Sequence, residues 1–272
     1  MVLGVGGYAS LPMLLAARGM LIPRFIHEQN AIPGLTNRLL AKFADRVFIT
    51  LEESARYFPQ AKTVLTGNPL RRQILDLVEN SSPSSAKEDV RSADTFRLLI
   101  FGGSQGAHAI NAAVVEALPL LKKGRCRLLI THQTGENECN EVTAAYQAAG
   151  VDAQVIPFIK DMAAEYERAD LIICRAGATT IAEVTACGKA CLFIPFPHAV
   201  DDHQRRNAEA LLKKNACFMM LERELTGGEL AMTIRTLTED PNLVRRTGEL
   251  AFSLAKLDAA EIIVDEMTKS IK

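Results

Sequence analysis

The chain has 272 residues, 48% hydrophobic and 23% charged, with a net charge of −1, which fits an α/β globular protein of one or two cores and excludes a disordered or fibrous chain. No stretch approaches the ~18–20 uninterrupted apolar residues of a membrane span, and no basic n-region, apolar h-region and cleavage site opens the chain. The near-neutral balance gives no support to a nucleic-acid binder. The net figure hides an asymmetry: residues 1–72 hold nine Lys and Arg against four Asp and Glu, and residues 73–272 hold 22 against 28. A basic first section suits an anionic membrane surface or a phosphorylated substrate, or is a chance distribution. The six cysteines form no CxxC pair, which predicts reduced, mostly buried thiols and no zinc site.

In chain order, "MVLGVGGYASLP" comes first and places Gly4, Gly6 and Gly7 after only three residues. A glycine turn of this kind closes a β-strand, so either the strand is missing or the chain begins inside a larger unit. "PRFIHEQ", "DRVFIT" and "KTVLTG" read as strands, and "GLTNRLLAKFA" carries Leu35, Leu39, Leu40 and Phe43 at helical spacing. The serine-rich "ENSSPSSAKEDVRSADT" (79–95) has the composition of a linker or long surface loop. A second α/β run follows, with strands in "FRLLIF", "RCRLLITH", "AQVIPF", "LIICRAG" and "ACLFIPF" separated by helices. From about 222 the pattern is helical, ending in "DAAEIIVDEMTKSI". Strands alternating with helices predict parallel sheets, here in two sections.

Several strand ends carry chemistry. In "FRLLIFGGSQGAHAIN" a buried strand runs into Gly102, Gly103, Ser104, Gln105 and Gly106. Glycines admit close approach of a ligand to the backbone, and a helix start favours an anion. The stretch is neither a Walker loop nor a GxGxxG fingerprint, and a plain βα turn explains it as well. "ICRAGATTIAEV" repeats the arrangement, with Thr179 and Thr180 in the first helical turn and Glu183 one turn inside. A carboxylate there accepts from two ribose hydroxyls or simply answers the helix dipole. "PHAVDDHQRRNA" sets His198 and His203 beside Asp201 and Asp202, but the spacing fits no familiar metal frame. An Asp N-cap is the simpler account, with Gln204 on the first turn facing the same crevice. In "FIHEQN" four polar residues, His27, Glu28, Gln29 and Asn30, end a strand where open α/β sheets place ligand groups. His27 and Glu28 form either an acid–base pair or a hydrogen-bonded structural pair.

Taken together and in order, "GVGGYASLP", "HEQNAIPGLTNR", "TGNPLR", "GGSQGA", "ICRAGATTIAEV" and "PFPHAVDDHQRRNA" resemble the MurG family over nearly the whole chain. These are the N-acetylglucosaminyltransferases that convert lipid I to lipid II in bacterial peptidoglycan synthesis. The resemblance implies a GT-B fold of the α/β class, two Rossmann-like parallel-sheet domains facing a cleft, with the N-terminal one incomplete. Its divisions are an acceptor and membrane-side domain over 1–72, a linker over 73–95, and a UDP-sugar domain over 96–250. A C-terminal helix within 251–272 packs back toward the first domain. It implies an inverting hexosyltransferase without cofactor or metal.

By the same resemblance, Ser104 contacts the diphosphate and Ile159 presents its backbone to uracil. Ala178, Thr179, Thr180, Ile181 and Ala182 wrap the nucleotide, and Glu183 holds the ribose. Gln204 and Asn30 contact the sugar, with Arg71 near it. Gly7 and Tyr8 lie on the acceptor side, with His27 and Glu28 as substitute catalytic candidates. The implied partners are UDP-N-acetylglucosamine, lipid I, an anionic membrane surface and other cell-wall synthesis proteins. The implied place is the cytoplasmic face of the bacterial plasma membrane, held peripherally. "GVGGYASLP" resembles the family's second glycine loop, and the first, GGTGGHxxP, whose histidine is the proposed base, has no counterpart here. The expectation is therefore an intact donor site with impaired transfer, and a UDP-sugar-binding module without turnover is the alternative. Another GT-B enzyme, a UDP-N-acetylglucosamine 2-epimerase, is opposed by "HEQN" and "GGYASLP".

Overall fold

The computed structural model describes residues 1–80, 95–124 and 126–270. The first unit comprises β1 (Val2–Gly4), α1 (Gly7–Gly19), β2 (Arg24–Glu28), α2 (Leu35–Leu40), β3 (Arg46–Ile49) and β4 (Thr63–Leu65). Its strands form a parallel sheet in the order β1-β2-β3-β4. Side chains alternate across a strand, and here both faces are covered. Ile26, Val47 and Ile49 pack with Leu14 and Leu40 on one side. Phe25 and Phe48 stack on the other. A strand does precede the opening glycine turn, three residues long and paired along Val2–Gly4 with β2.

The second unit opens with α3 (Arg72–Asn80) and β5 (Thr95–Phe101). It continues through α4 (His108–Leu121), β6 (Arg127–Gln133), α5 (Cys139–Ala149), β7 (Ala153–Ile156), α6 (Met162–Arg168) and β8 (Leu171–Cys174). Then come α7 (Ala178–Ala186), β9 (Ala190–Phe193), α8 (His203–Leu212), β10 (Phe218–Met219), α9 (Gly227–Glu239) and α10 (Pro241–Ser253). Six parallel strands run in the order β10-β9-β8-β5-β6-β7. Leu98 and Ile100 of β5 pack with Ile110, Val114 and Leu118 of α4 and Leu230 and Ile234 of α9. Leu99 and Phe101 face the opposite layer, with Tyr166, Ile181, Val184 and Leu211. Burial on both faces explains why these strands read as continuous apolar runs. The chain moves outward from β5 through β6 to β7, then returns to lay β8 on the other flank of β5. That reversal is a topological switch point, where open α/β sheets hold ligands.

The structure redraws two boundaries. The linker expected over 73–95 begins as helix α3, whose Ile74 is fully buried in the second unit's core beside Leu70 and Val78. Ile74 and Val78 stand four apart, so the apolar stripe outweighs the polar residues around it; residues 81–94 lie outside the described residues. At the other end, residues 251–253 complete α10, and the final helix α11 (Ala259–Lys269) sets Ile263 and Met267 against Phe25 and Phe48 of the first sheet. The chain thus passes between the units twice, and the two crossings touch. Gly67 has φ +84°, and a Cβ there would overlap the Lys256 side chain, so only glycine fits.

Candidate functional site

Ends of five parallel strands converge on one edge of the larger sheet. After β5, Gly103 (φ +93°) and Gly106 (φ +79°) fold the loop back on itself, with the Gly106 N–H donating to the Gly103 carbonyl at 2.9 Å. Ser104 sits exposed at its tip. Helix α4 follows with no side-chain cap and no acidic residue in its first turn. Its first N–H groups and positive dipole end are left for a ligand or water. Helix α7, across the switch point, has Gly177 at its N-cap and the same lack of a side-chain cap or first-turn acid. Ala178, Thr179 and Thr180 form its first turn, and Ile181, Ala182 and Glu183 its second. Ile159, in the loop after β7, is buried in the core on the α6 side, which fixes the backbone of that loop.

Glu183, one turn inside α7, is 3% exposed. Arg71 donates to both of its oxygens, Nε at 2.6 Å and Nη2 at 2.8 Å, and the Tyr166 hydroxyl donates at 3.2 Å. Burial, then the Glu183 charge, push the Tyr166 pKa well up, so the phenol remains a donor. Arg71 arrives from the crossing between the units, and its side chain is half exposed. This fork-on-carboxylate pair ties the crossing to α7. Sequence reasoning named Arg71 and Glu183 but not their pairing, and it missed Tyr166.

Gln204, in the first turn of α8, accepts with Oε1 from the backbone N–H groups of Ala176 (3.2 Å) and Phe196 (3.0 Å). It bridges the strand-end loops after β8 and β9. Asp202 occupies the N-cap position of α8, as expected, but in a left-handed conformation (φ 53°) and without a side-chain capping bond. Asn207, one turn further along α8, reaches the first unit. Its Oδ1 accepts from the Ala31 N–H at 2.8 Å, and its Nδ2 donates to Asn30 Oδ1 at 3.0 Å. Asn30 therefore lies in the crevice between the units, held by a residue the sequence reading passed over.

His27 and Glu28 are each 2% exposed. Both Glu28 oxygens are taken, by Asn30 N–H and Nδ2 on one and by Gly34 N–H and Asn37 Nδ2 on the other. His27 Nε2 donates to the Gly67 carbonyl at 2.9 Å, and Gln29 Nε2 lies 3.2 Å from its Nδ1. Burial lowers its pKa. Each side chain is held by other groups rather than by its neighbour, and Glu28 shapes the loop that presents Asn30. Gly7 (φ +75°) and Tyr8 stand at the start of α1, with Tyr8 97% exposed. Asn37 Nδ2 donates to Glu28 Oε2 at 2.8 Å and to the His27 carbonyl at 3.2 Å, close beside the Gly6 turn.

A buried polar chain braces the glycine loop from behind. His132 donates from Nε2 to Asn111 Oδ1 (3.1 Å) and accepts at Nδ1 from Tyr146 (3.2 Å), while Asn111 donates to the Thr134 carbonyl and to Glu138. Burial lowers the His132 pKa to about 4. The folded pKa lies below the unfolded value near 6.5, so the unfolded chain binds the proton more readily and stability falls as pH falls between those values. The expected loss is up to about 3 kcal/mol, with His27 acting in the same direction. Urea titrations across that range should show it, and His132→Gln should flatten the curve; an unchanged slope would count against the buried neutral imidazole.

Among the described residues no three His, Cys, Asp or Glu side chains gather as a metal site, and no helix is long and apolar enough to cross a membrane. A family model described as the glycosyltransferase family 28 C-terminal domain matches residues 97–262, and one described as the family's N-terminal domain matches residues 1–49. The UDP-N-acetylglucosamine–N-acetylmuramyl-(pentapeptide) pyrophosphoryl-undecaprenol N-acetylglucosamine transferase of Pelobacter propionicus is 66% identical, over 98% of this chain and 74% of its own. The crystal structure of Acinetobacter baumannii MurG superposes with a TM-score of 0.82 at 37% identity, over 98% of this chain and 74% of that one. A UDP-N-acetylglucosamine 2-epimerase of Neisseria meningitidis, at 16% identity and TM-score 0.69 over 98% of this chain and 75% of that one, shares the fold alone.

Proposed function

The chain belongs to the MurG family within glycosyltransferase family 28, and on that basis we propose its reaction and the part each residue takes. It transfers N-acetylglucosamine from UDP-N-acetylglucosamine to lipid I, undecaprenyl-diphospho-muramoyl-pentapeptide, to give lipid II. The observation that carries the site assignment is the switch point itself, where α4 and α7 start uncapped on adjacent strands. The diphosphate sits at the glycine loop, with Ser104 and the first N–H groups of α4 as donors. Ile159 offers its backbone to uracil, residues 178–182 wrap the nucleotide, Glu183 holds the ribose, and Gln204 and Asn30 reach the sugar. As the muramoyl hydroxyl attacks the anomeric carbon, its O–H proton passes to a base and the bond to UDP breaks. The leaving diphosphate gains charge against preorganised N–H groups, which stabilise it without a metal. In the ligand-free chain the polar atoms of His27 and Glu28 are engaged by neighbouring protein groups, so either could act as the base only by exchanging those bonds for one to the substrate.

Labelled UDP-N-acetylglucosamine with a lipid I analogue tests this reading. Label should enter the lipid product in step with UDP release. Release at the same rate without acceptor, or equal use of an ADP-sugar, would sink it.

The acceptor side is the first unit, which rests on the cytoplasmic membrane face. Support comes from its excess of Lys and Arg and from the exposed Tyr8, Met13, Met20 and Leu21 on and just after α1. Basic attraction is worth about 1 kcal/mol per charge near an anionic surface and is screened by salt. Flotation with anionic vesicles should therefore recover the protein and lose it as salt rises; equal recovery with neutral vesicles would remove the electrostatic part.

A further inference from the structure

Gln133 has no part in the site as drawn so far, yet it occupies its centre. It is the last residue of β6 and 2% exposed. Its Nε2 donates to the Gly103 carbonyl at 2.9 Å and to the Pro157 carbonyl at 3.0 Å. One carbonyl belongs to the glycine loop after β5, the other to the loop after β7 that leads into Ile159. Both partners are acceptors, so only the NH2 end of the amide fits, and its two N–H groups serve one loop each. The next residues repeat the connection with backbone atoms. Thr134 N–H donates to the Ile156 carbonyl (3.1 Å), and Gly135 N–H to the Pro157 carbonyl (3.2 Å).

We propose that Gln133 is a positioning residue that fixes the spacing between the base-reading loop and the diphosphate-cradling loop. It thereby matches the site to a nucleoside diphosphate rather than to a shorter nucleotide. The inference rests on the donor-site reading above. A nucleotide spanning both loops gains from each end only if the two are held at the right separation, as a preorganised site requires. The Ile159 loop and the glycine loop sit on non-adjacent strands, with β6 between them. Gln133, at the end of that middle strand, is placed to hold both.

Calorimetry with uridine, UMP and UDP separates the possibilities. In the wild type, affinity should rise from uridine to UDP. In Gln133→Leu the UDP Kd should rise about tenfold, while the uridine Kd moves by less than about twofold, so the gain from the diphosphate shrinks. KM for UDP-N-acetylglucosamine should rise alike, with kcat at saturation within about twofold. Equal weakening of uridine and UDP would mean general loosening and overturn the proposal, as would unchanged UDP binding. Failure of the wild type to bind UDP would instead bring down the donor-site reading and this inference with it. A measurement on the wild type alone does not depend on the variant folding. Uridine by itself should slow hydrogen exchange of the Gly106 amide, across the Gln133 bridge, and protection confined to the Phe158 and Ile159 amides would overturn the bridge.

Discussion

Glu183→Ala is expected to raise the Kd for UDP and for UDP-N-acetylglucosamine by about 10- to 150-fold, the equivalent of ~1.5–3 kcal/mol for hydrogen bonds to a charged group. A carboxylate that is 3% exposed inside a helix is tolerated only because Arg71 and Tyr166 satisfy its oxygens. The same arrangement fixes its orientation for the ribose contact proposed above. The two partners differ in how they bear the loss. Alanine at 183 leaves the Arg71 guanidinium half exposed and still hydrated, whereas alanine at 71 leaves an anion buried beside one phenol. Breaking a buried pair from the exposed side costs about 3–5 kcal/mol when the remaining charge stays dry. Arg71→Ala should therefore lower the denaturant midpoint more than Glu183→Ala does, while Glu183→Ala is the more damaging to UDP binding. Denaturation and calorimetry on both variants check the crossed order. Equal UDP affinity in wild type and Glu183→Ala would take the ribose away from Glu183.

Local chemistry made part of this site legible. Alternating apolar runs and helical stripes located β2 through β9, because strands buried on both faces and helices with one apolar face leave plain periodicities. The glycine turns after β5 and β8 stood out since glycine is needed wherever backbone must pass close or turn left. Very short elements left no period to read: β1 has three residues and β10 two. Helix α3 was hidden because its apolar stripe is brief and merges into a serine-rich run. The contacts that decide roles were beyond reach for a different reason. Arg71 meets Glu183 across 112 positions, and Asn207 meets Asn30 across 177. Nothing in the neighbouring sequence of either residue encodes such a partner. The same holds for Glu28. As a letter in "HEQN" it is a plausible base, and only the four donors surrounding it show that its oxygens are already occupied. Gln133 had a weak signal, a strand ending in "HQTG", which is a polar pair and a glycine at the carboxyl edge of a parallel sheet.

That glycine, Gly135, leads to the second large effect. Gly106 and Gly135 lie back to back, so that a Cβ on Gly106 would overlap the Thr134 carbonyl, and one on Gly135 would overlap the Gln105 carbonyl. Backbone atoms cannot swing aside as a side-chain end does. Gly106 also has φ +79°, a region that costs an L-residue about 1–2 kcal/mol. Overpacking adds about 1–3 kcal/mol. Gly106→Ala should accordingly cost ~2–5 kcal/mol, taken either from the stability of the second unit or from the shape of the loop. If the loop gives way, the diphosphate cradle opens and UDP affinity drops by about 100-fold or more. Gly103 supplies the control. It has φ +93° but open space around its Cβ position, so Gly103→Ala should cost only the conformational part, about 1–2 kcal/mol. Measured together by thermal unfolding and UDP calorimetry, the two substitutions separate left-handed strain from contact between loops. Equal effects would show that the two glycine turns do not brace each other. A much larger loss in Gly106→Ala would place the rigidity of the phosphate loop in that contact, where the loop after β6 serves as the wall against which the glycine loop is set.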